Sequence, residues 1–384
     1  MVRRTLGEAA PKLIDEGFLD QSNYASMNTV AFIIYGLSKF VTSHIAKNHL
    51  FLWYSILFGI VGILTLLCGM FCSAHYYLFF VSWVVNYMFM GTLWPIICIV
   101  FKRWFPESVR GLFWSIICCC SSLGTIICNT ISVYVNGNPN QIYCICGMIV
   151  LVCAFITFFI YPTETSEDIE YKPISKQTSS ATTEKIRCTE ILSITLLLLS
   201  VFISTLNQRV VTDWGLLLFP QVLQNKEIIP QSSSAISFVE IGGILGTLWC
   251  GWVSDTYHLS RSVICEFSSI LAGIIIITLP SSSTSTSFLS LSLLLGFFLY
   301  IPFSFSELIA IESVDTKYTN FIISMNGLMS PFGSVFSGVP VNLLIQTYGW
   351  KTIPKDLCIS FIAFAILLWG NSIIRRHSMD SKDL

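Results

Sequence analysis

Long apolar stretches separated by short polar ones dominate this chain. Eleven of them come close to or exceed the length of about 20 apolar residues that an α-helix needs to cross a bilayer. They lie at residues 24–45, 50–72, 77–100, 112–135, 141–161, 191–222, 233–253, 262–280, 286–309, 320–346 and 356–374. The longest polar interruption, residues 162–190, is rich in Ser, Thr, Glu and Lys, which is typical of a flexible linker. The pattern predicts an all-α membrane protein with five spans before the linker and six after it.

Composition strengthens this prediction and excludes several function classes. Of the 384 residues, 54% are hydrophobic and 11% are charged, whereas a soluble domain carries about 25% charged residues. The net charge is −1 and no basic tract is present, so we expect no nucleic-acid partner. The fourteen cysteines fall mostly inside apolar runs and form no CxxC pair, which favours packing over a metal or disulfide role. Without a metal cluster, a pair of catalytic carboxylates or a nucleophile–base motif, we expect neither a cofactor nor an enzyme.

The two sides of the linker share landmarks at a nearly constant spacing, which indicates a parallel structural repeat. The matching pairs are Pro95 and Pro302, Lys47 and Asp255, and Arg3 and Arg209. We predict two six-helix halves related by pseudo-twofold symmetry, at residues 1–161 and 191–384, joined by the linker at 162–190. The repeat also predicts that the first helix is truncated, so that only its last portion is present, from Arg3 to about Ile14.

Basic residues concentrate on one side of the predicted spans, which sets the orientation in the membrane. The residues on that side are Lys102, Arg103, Arg110, Arg261, Arg375 and Arg376. We therefore expect the linker and the C-terminal tail to be cytosolic.

Arg209 is a permanent cation inside the apolar run 191–222. Because an arginine at the centre of a bilayer costs about 2.5–3.5 kcal/mol, it should face a polar cavity. One interpretation is a structural pair with Asp213, one turn later on the same helix face. The other, which we favour, is that Arg209 faces Arg3 and that both guanidinium groups bind a phosphate monoester of charge about −1.5 to −2.

Other polar or aromatic residues inside the apolar runs have two interpretations each. Lys39, in YGLSKFV with Tyr35, either lines the polar cavity that Arg209 faces or extends to the cytosolic interface. Glu240, in FVEIGG, is either a proton site or, as we favour, part of a structural ion pair. Two aromatic residues beside prolines, Trp94 and Tyr300, either line the pore at helix kinks or mark simple breaks in packing.

Five segments carry a resemblance to a known family. They are RRTLGEAAPKLIDE, YGLSKFV, GTLWPIICIVFKRWFPESVRGLFW, EIGGILGTLWCGWVSD and SGVPVNLLIQTYGW. The chain resembles the major facilitator superfamily and, within it, the organophosphate:phosphate antiporters, among which the glucose-6-phosphate translocases are the most similar. Asp255 matches the gating-loop aspartate of the family, and Lys47 stands where the family pattern has a second aspartate.

The resemblance implies the major facilitator fold and a transport function without covalent chemistry. Arg3 and Arg209 would hold the phosphate, with Lys39 on the same path, and the two halves would exchange a sugar phosphate for inorganic phosphate by alternating access. Glucose 6-phosphate is the expected sugar phosphate, the endoplasmic reticulum membrane the expected location, and a monomer in the lipid bilayer the expected state. The alternative is a sugar-phosphate sensor that does not transport, or an inactive truncated isoform.

Overall fold

The chain folds into consecutive α-helices, as the apolar pattern predicts. The computed structural model describes residues 1–45, 50–104, 110–160, 188–257, 259–313 and 319–380, and these contain no β-strand. A short 3-10 turn, Val2–Arg4, opens the chain, and the helices follow as α1 (Thr5–Asp15), α2 (Gln21–Ile45), α3 (Leu50–Phe71), α4 (Tyr76–Trp104), α5 (Arg110–Tyr134), α6 (Pro139–Ile160), α7 (Cys188–Val222), α8 (Ser232–Tyr257), α9 (Arg261–Thr278), α10 (Ser285–Glu312), α11 (Thr319–Phe336), α12 (Val339–Tyr348) and α13 (Ile353–Asp380).

Ten segments within the described ranges are long and apolar enough to cross a membrane. The eleventh predicted span, at 24–45, forms the 25-residue helix α2, but α2 is too polar to be counted with the ten. Its neighbours account for this difference, because α2 packs against α4, α11 and α12. Asn28 of α2 is buried, and Thr29 bonds to the chain near α12, so these polar groups are satisfied by protein rather than exposed to lipid.

The predicted run 320–346 is divided into two helices, α11 and α12, which the apolar pattern did not indicate. The break falls at Ser337 and Gly338, just before Pro340. It frees backbone groups that other helices then bind: the indole Nε1 of Trp214 donates to the carbonyl of Ser337 at 2.6 Å, and the backbone N–H of Val339 donates to Thr29 Oγ1 at 2.8 Å.

The linker prediction is tested only at its end. Residues 161–187 lie outside the described residues, and α7 already begins at Cys188, so residues 188–190 are helical. Lys47 also lies outside the described residues. The division into two halves therefore stays a prediction.

The two prolines of the predicted repeat do not interrupt their helices. α4 extends past residue 95, and α10 extends past Pro302.

Glycines bring α8 and α10 into close contact, as small residues commonly do between membrane helices. A side chain at Gly242 or Gly246 of α8 would collide with the backbone of α10 at Leu293 or Phe297. A side chain at Gly296 of α10 would in turn collide with the carbonyl group of Val239. These collisions involve backbone atoms on both sides, so the two helices cannot accommodate a methyl group without moving apart.

We predict that Gly296→Ala separates α8 from α10 and destabilises the protein by about 1–3 kcal/mol, the usual cost of overpacking. Thermal unfolding of the purified protein in detergent measures the effect. Gly327→Ala is the matched control, because a Cβ at this helical glycine would meet no atom within 4 Å. Equal unfolding temperatures for the two variants would contradict the packing argument.

Candidate functional site

The structure brings Arg3 and Arg209 together at the centre of the helices. Arg209 of α7 is 6% exposed, and its guanidinium carbon lies 5.6 Å from the centre of the Phe32 ring of α2. Arg3 is half-buried, and its Nη2 donates a long hydrogen bond of 3.5 Å to Ser121 Oγ of α5. The two guanidinium groups are close enough to repel each other electrostatically. The two predicted cations thus lie within electrostatic range of each other, and their joint role in binding stays a prediction.

Arg209 lacks the partners that normally satisfy a buried arginine. Its Nε has no hydrogen-bond acceptor, and among the described residues no carboxylate lies within ion-pair distance of it. The contact with Phe32 is a cation–π contact, which neutralises no charge. An unneutralised buried cation beside a second cation is an arrangement that an anionic ligand would stabilise.

Asp213 does not form the local pair with Arg209 that its spacing allows. Its Oδ1 lies 3.6 Å from Nη1 of Arg4, and Arg4 Nε also donates to Glu8 Oε1 at 3.1 Å. Arg4 is 5% exposed, so both carboxylates are used to neutralise a buried cation at the start of α1. The interpretation of Arg209 and Asp213 as a closed structural pair is therefore wrong.

Arg4 is the residue that the sequence interpretation missed. The signal was present, because Arg4 and Glu8 have the i, i+4 spacing of a helical ion pair. The sequence could not show which of the two neighbouring arginines turns towards Asp213 of α7 and which turns towards Arg209. The fold assigns the first role to Arg4 and the second to Arg3.

A hydrogen-bonded group of side chains from α5, α7, α8 and α10 lies next to the arginines. Tyr300 Oη donates to Glu240 Oε2 at 2.5 Å, and Gln208 Nε2 donates to Tyr300 Oη at 3.1 Å. Ser122, next to the Ser121 that Arg3 contacts, also lies beside Glu240. Within the described residues Glu240 forms no ion pair, so the expected structural pair is not what holds it. Gln208 Oε1 is buried and has no partner.

Tyr35 and Lys39 lie one turn apart on α2, both half-buried. The Tyr35 ring packs edge-on against Tyr87, with ring centroids 6.3 Å apart, and Tyr87 Oη in turn donates to the Arg3 carbonyl at 3.4 Å. Lys39 has no ion pair or hydrogen bond within the described part of the chain. Tyr35 is therefore linked to the arginine pair through Tyr87, and Lys39 lies one turn farther along the same helix.

The remaining predicted residues lie at or beyond the edge of this site. Trp94 is half-buried on α4, near Gly91, whose lack of a side chain lets α4 approach Tyr35. Asp255 is at the end of α8 and accepts from Arg261 Nη2 at 2.7 Å, and Arg261 also pairs with Glu312 of α10. The predicted gating residue thus belongs to an ion-pair group that ties the ends of α8, α9 and α10 together.

Comparison with known proteins identifies the family. The model of the Major Facilitator Superfamily matches residues 4–338, which is most of the chain. The chain belongs to the major facilitator superfamily. Membership confirms the predicted fold class, and it places this protein among membrane transport proteins rather than enzymes.

Individual similar proteins also point to membrane transport. Their sequence identity to this chain is low, but the alignments cover nearly the full length of both proteins. This major facilitator protein is 24% identical to a probable hexose phosphate transport protein of Chlamydia trachomatis, over 98% of this chain and 89% of that protein. It is 23% identical to the membrane sensor protein UhpC of Escherichia coli, over 95% and 87% of the two chains. It is 22% identical to a glycerol-3-phosphate transporter of Bacillus subtilis, over 98% and 90%. These names confirm the resemblance to organophosphate:phosphate antiporters.

The different partners of Arg4 and Arg209 predict different costs of removal. Arg4→Gln leaves the buried Glu8 and the partly buried Asp213 without a counter-charge, which costs about 3–5 kcal/mol. Arg209→Gln removes a cation that has no carboxylate partner and is repelled by Arg3, so we expect stability to be unchanged or higher. Thermal unfolding in detergent without phosphate compares the two. A loss for Arg209→Gln as large as that for Arg4→Gln would show that Arg209 has a structural role.

Proposed function

We propose that this protein exchanges an organic phosphate for inorganic phosphate across a membrane, with Arg3 and Arg209 as the phosphate-binding residues. The observation that carries the proposal is the pair of neighbouring guanidinium groups, of which Arg209 is buried without a carboxylate partner. A planar guanidinium donates two parallel hydrogen bonds to phosphate, and two of them match the charge of a phosphate monoester at neutral pH.

Exchange, rather than one-way transport, follows from the same charges. With the phosphate removed, two cations that repel each other remain inside the membrane, where unneutralised charge is costly. Reorientation of the empty protein would carry this cost, whereas reorientation with either phosphate bound would not. The binding site therefore favours a cycle in which one phosphate leaves only when another takes its place.

Hydrogen bonds between helices near the end of the bundle opposite Asp255 suggest how the binding site could open alternately to the two sides of the membrane. Asn129 of α5 donates to the carbonyl of Ser233 of α8 at 2.7 Å, and Ser233 Oγ donates to Asn129 Oδ1 at 2.6 Å. Across the bundle, Gln21 Nε2 of α2 donates to Asn342 Oδ1 of α12 at 2.9 Å. Such bonds contribute about 0.5–1.5 kcal/mol each, so in the proposed cycle these bonds can break and re-form without large energetic cost.

We propose a sugar phosphate as the organic substrate, with glucose 6-phosphate as the first candidate. The similar proteins are named for hexose phosphate and glycerol 3-phosphate transport, which supports an organic phosphate but leaves the sugar open. Glucose 6-phosphate and the endoplasmic reticulum location rest on the sequence resemblance. Gln208, Tyr300 and Glu240 offer hydrogen-bonding groups next to the arginines, where sugar hydroxyls would lie. Lys39 would attract the anion as it enters.

Proteoliposome exchange tests this function. Vesicles loaded with inorganic phosphate should take up labelled glucose 6-phosphate or phosphate, and uptake should fall at least about tenfold in Arg209→Gln, because a hydrogen bond to a charged group contributes about 1.5–3 kcal/mol. Lys351→Gln is the control, since Lys351 is exposed near the start of α13. Uptake that does not depend on internal phosphate, or normal uptake by Arg209→Gln, would contradict the proposal.

A second candidate function is a phosphate-ester sensor that binds but does not transport. It is favoured by the similarity to the membrane sensor protein UhpC over 95% of this chain. The same vesicles separate the two functions, because a sensor would bind glucose 6-phosphate, and lose that binding in Arg209→Gln, without any exchange.

A further inference from the structure

A cleft between α9 and α13, away from Arg3 and Arg209, has features of a separate binding site. It lies between the first turns of α9 and the last turns of α13, and its volume is about 350 Å³. Ligand clefts commonly have volumes of about 300–1,000 Å³. The lining combines polar and apolar side chains, with Ser260, Ser262 and Glu266 on the α9 side and Trp369, Asn371 and Arg375 on α13.

Glu266 has an acceptor that the protein leaves unused. Its Oε1 is shielded from solvent and accepts no hydrogen bond, and Glu266 forms no ion pair within the described residues. The nearest cation along the helix, Arg261, is already paired with Asp255 and Glu312. A shielded carboxylate oxygen is costly unless a donor reaches it. Glu266 is only half-buried, so its carboxylate can also be reached by a donor from outside the described residues.

Arg375 supplies the opposite charge on the other wall of the cleft. It is exposed and forms no ion pair within the described residues, so its guanidinium is free to bind an anion. Ser260 and Ser262 add hydroxyl donors near the start of α9, where the helix N-terminus also favours negative charge. A ligand that satisfies both walls would carry a donor cation and an anion a few atoms apart.

The surroundings of the cleft indicate that this ligand comes from the bilayer. Val263 in the lining is exposed, and farther along the two helices α9 exposes Phe267 and α13 exposes Ile366, three apolar residues suited to contact with acyl chains. Trp369 lies between these and Arg375, and 61% of its surface is exposed. Tryptophan is enriched at the level of the lipid headgroups, because its ring is apolar and its N–H is polar.

We propose that this cleft binds the headgroup of a zwitterionic aminophospholipid, with the primary ammonium on Glu266 and the phosphate on Arg375. Asn371, at the base of the cleft, is fixed by a hydrogen bond of 2.5 Å from Ser193 of α7. A lipid bound there would bridge α9 and α13 at the end of the bundle where the basic residues lie. The site is independent of the proposed exchange activity.

Native mass spectrometry of the full chain, released from detergent with equal amounts of added lipids, tests this site. We expect one retained phosphatidylethanolamine, and about tenfold less phosphatidylcholine, because a trimethylammonium has no N–H to donate to a carboxylate. Glu266→Gln should abolish the preference between the two lipids. Arg375→Gln should weaken the retention of both.

Matched controls distinguish specific lipid binding in this cleft from nonspecific lipid association. Asp356→Asn neutralises a carboxylate at the opposite end of α13 and should leave the preference unchanged. Equal retention of the two lipids by the wild-type chain, or a loss in Asp356→Asn as large as in Glu266→Gln, would overturn the proposal. Soluble phosphoethanolamine at the same concentration identifies the source: competition as strong as that of the lipid would show a site for a soluble ligand instead.

Discussion

The repulsion between Arg3 and Arg209 is the constraint on which the rest of the site depends. Burying a cation such as Arg209 without a counter-charge in a membrane protein is energetically costly, because the surrounding lipid cannot solvate it. Here Glu8 and Asp213 are paired with Arg4, and Glu240 is hydrogen-bonded to Tyr300. Arg209 is thus left without an ion-pair partner among the described residues, and a bound phosphate would supply one.

This charge balance also explains why two adjacent arginines have separate roles. Arg4 is neutralised within the protein and joins the start of α1 to α7, so it contributes to stability. Arg3 contacts Ser121 only through a long hydrogen bond and is free to turn towards an anion. The distinction is one of partners rather than of residue type, and it makes the contribution of each arginine measurable by itself.

Much of this could be predicted from the sequence, and the failures have a common cause. The cost of a cation in an apolar run made Arg209 a candidate, the repeat added Arg3, and the fold places the two within electrostatic range of each other. Local spacing suggested a pair with Asp213, but the pairing is decided by α1, which sequence distance does not bring near α7. The break between α11 and α12 was missed for the same reason, because Trp214 and Thr29 reach it from distant helices.

The central claim is that Arg3 and Arg209 bind one phosphate together, and a double-mutant cycle on phosphate binding tests it most directly. The affinity for inorganic phosphate is measured for the wild-type chain, Arg3→Gln, Arg209→Gln and the double variant. If both arginines hold the same ion, each single change should remove most of the binding and the double variant should lose little more. Losses that add to within about 0.5 kcal/mol would indicate independent sites, and would contradict the account, as would unchanged affinity in Arg3→Gln.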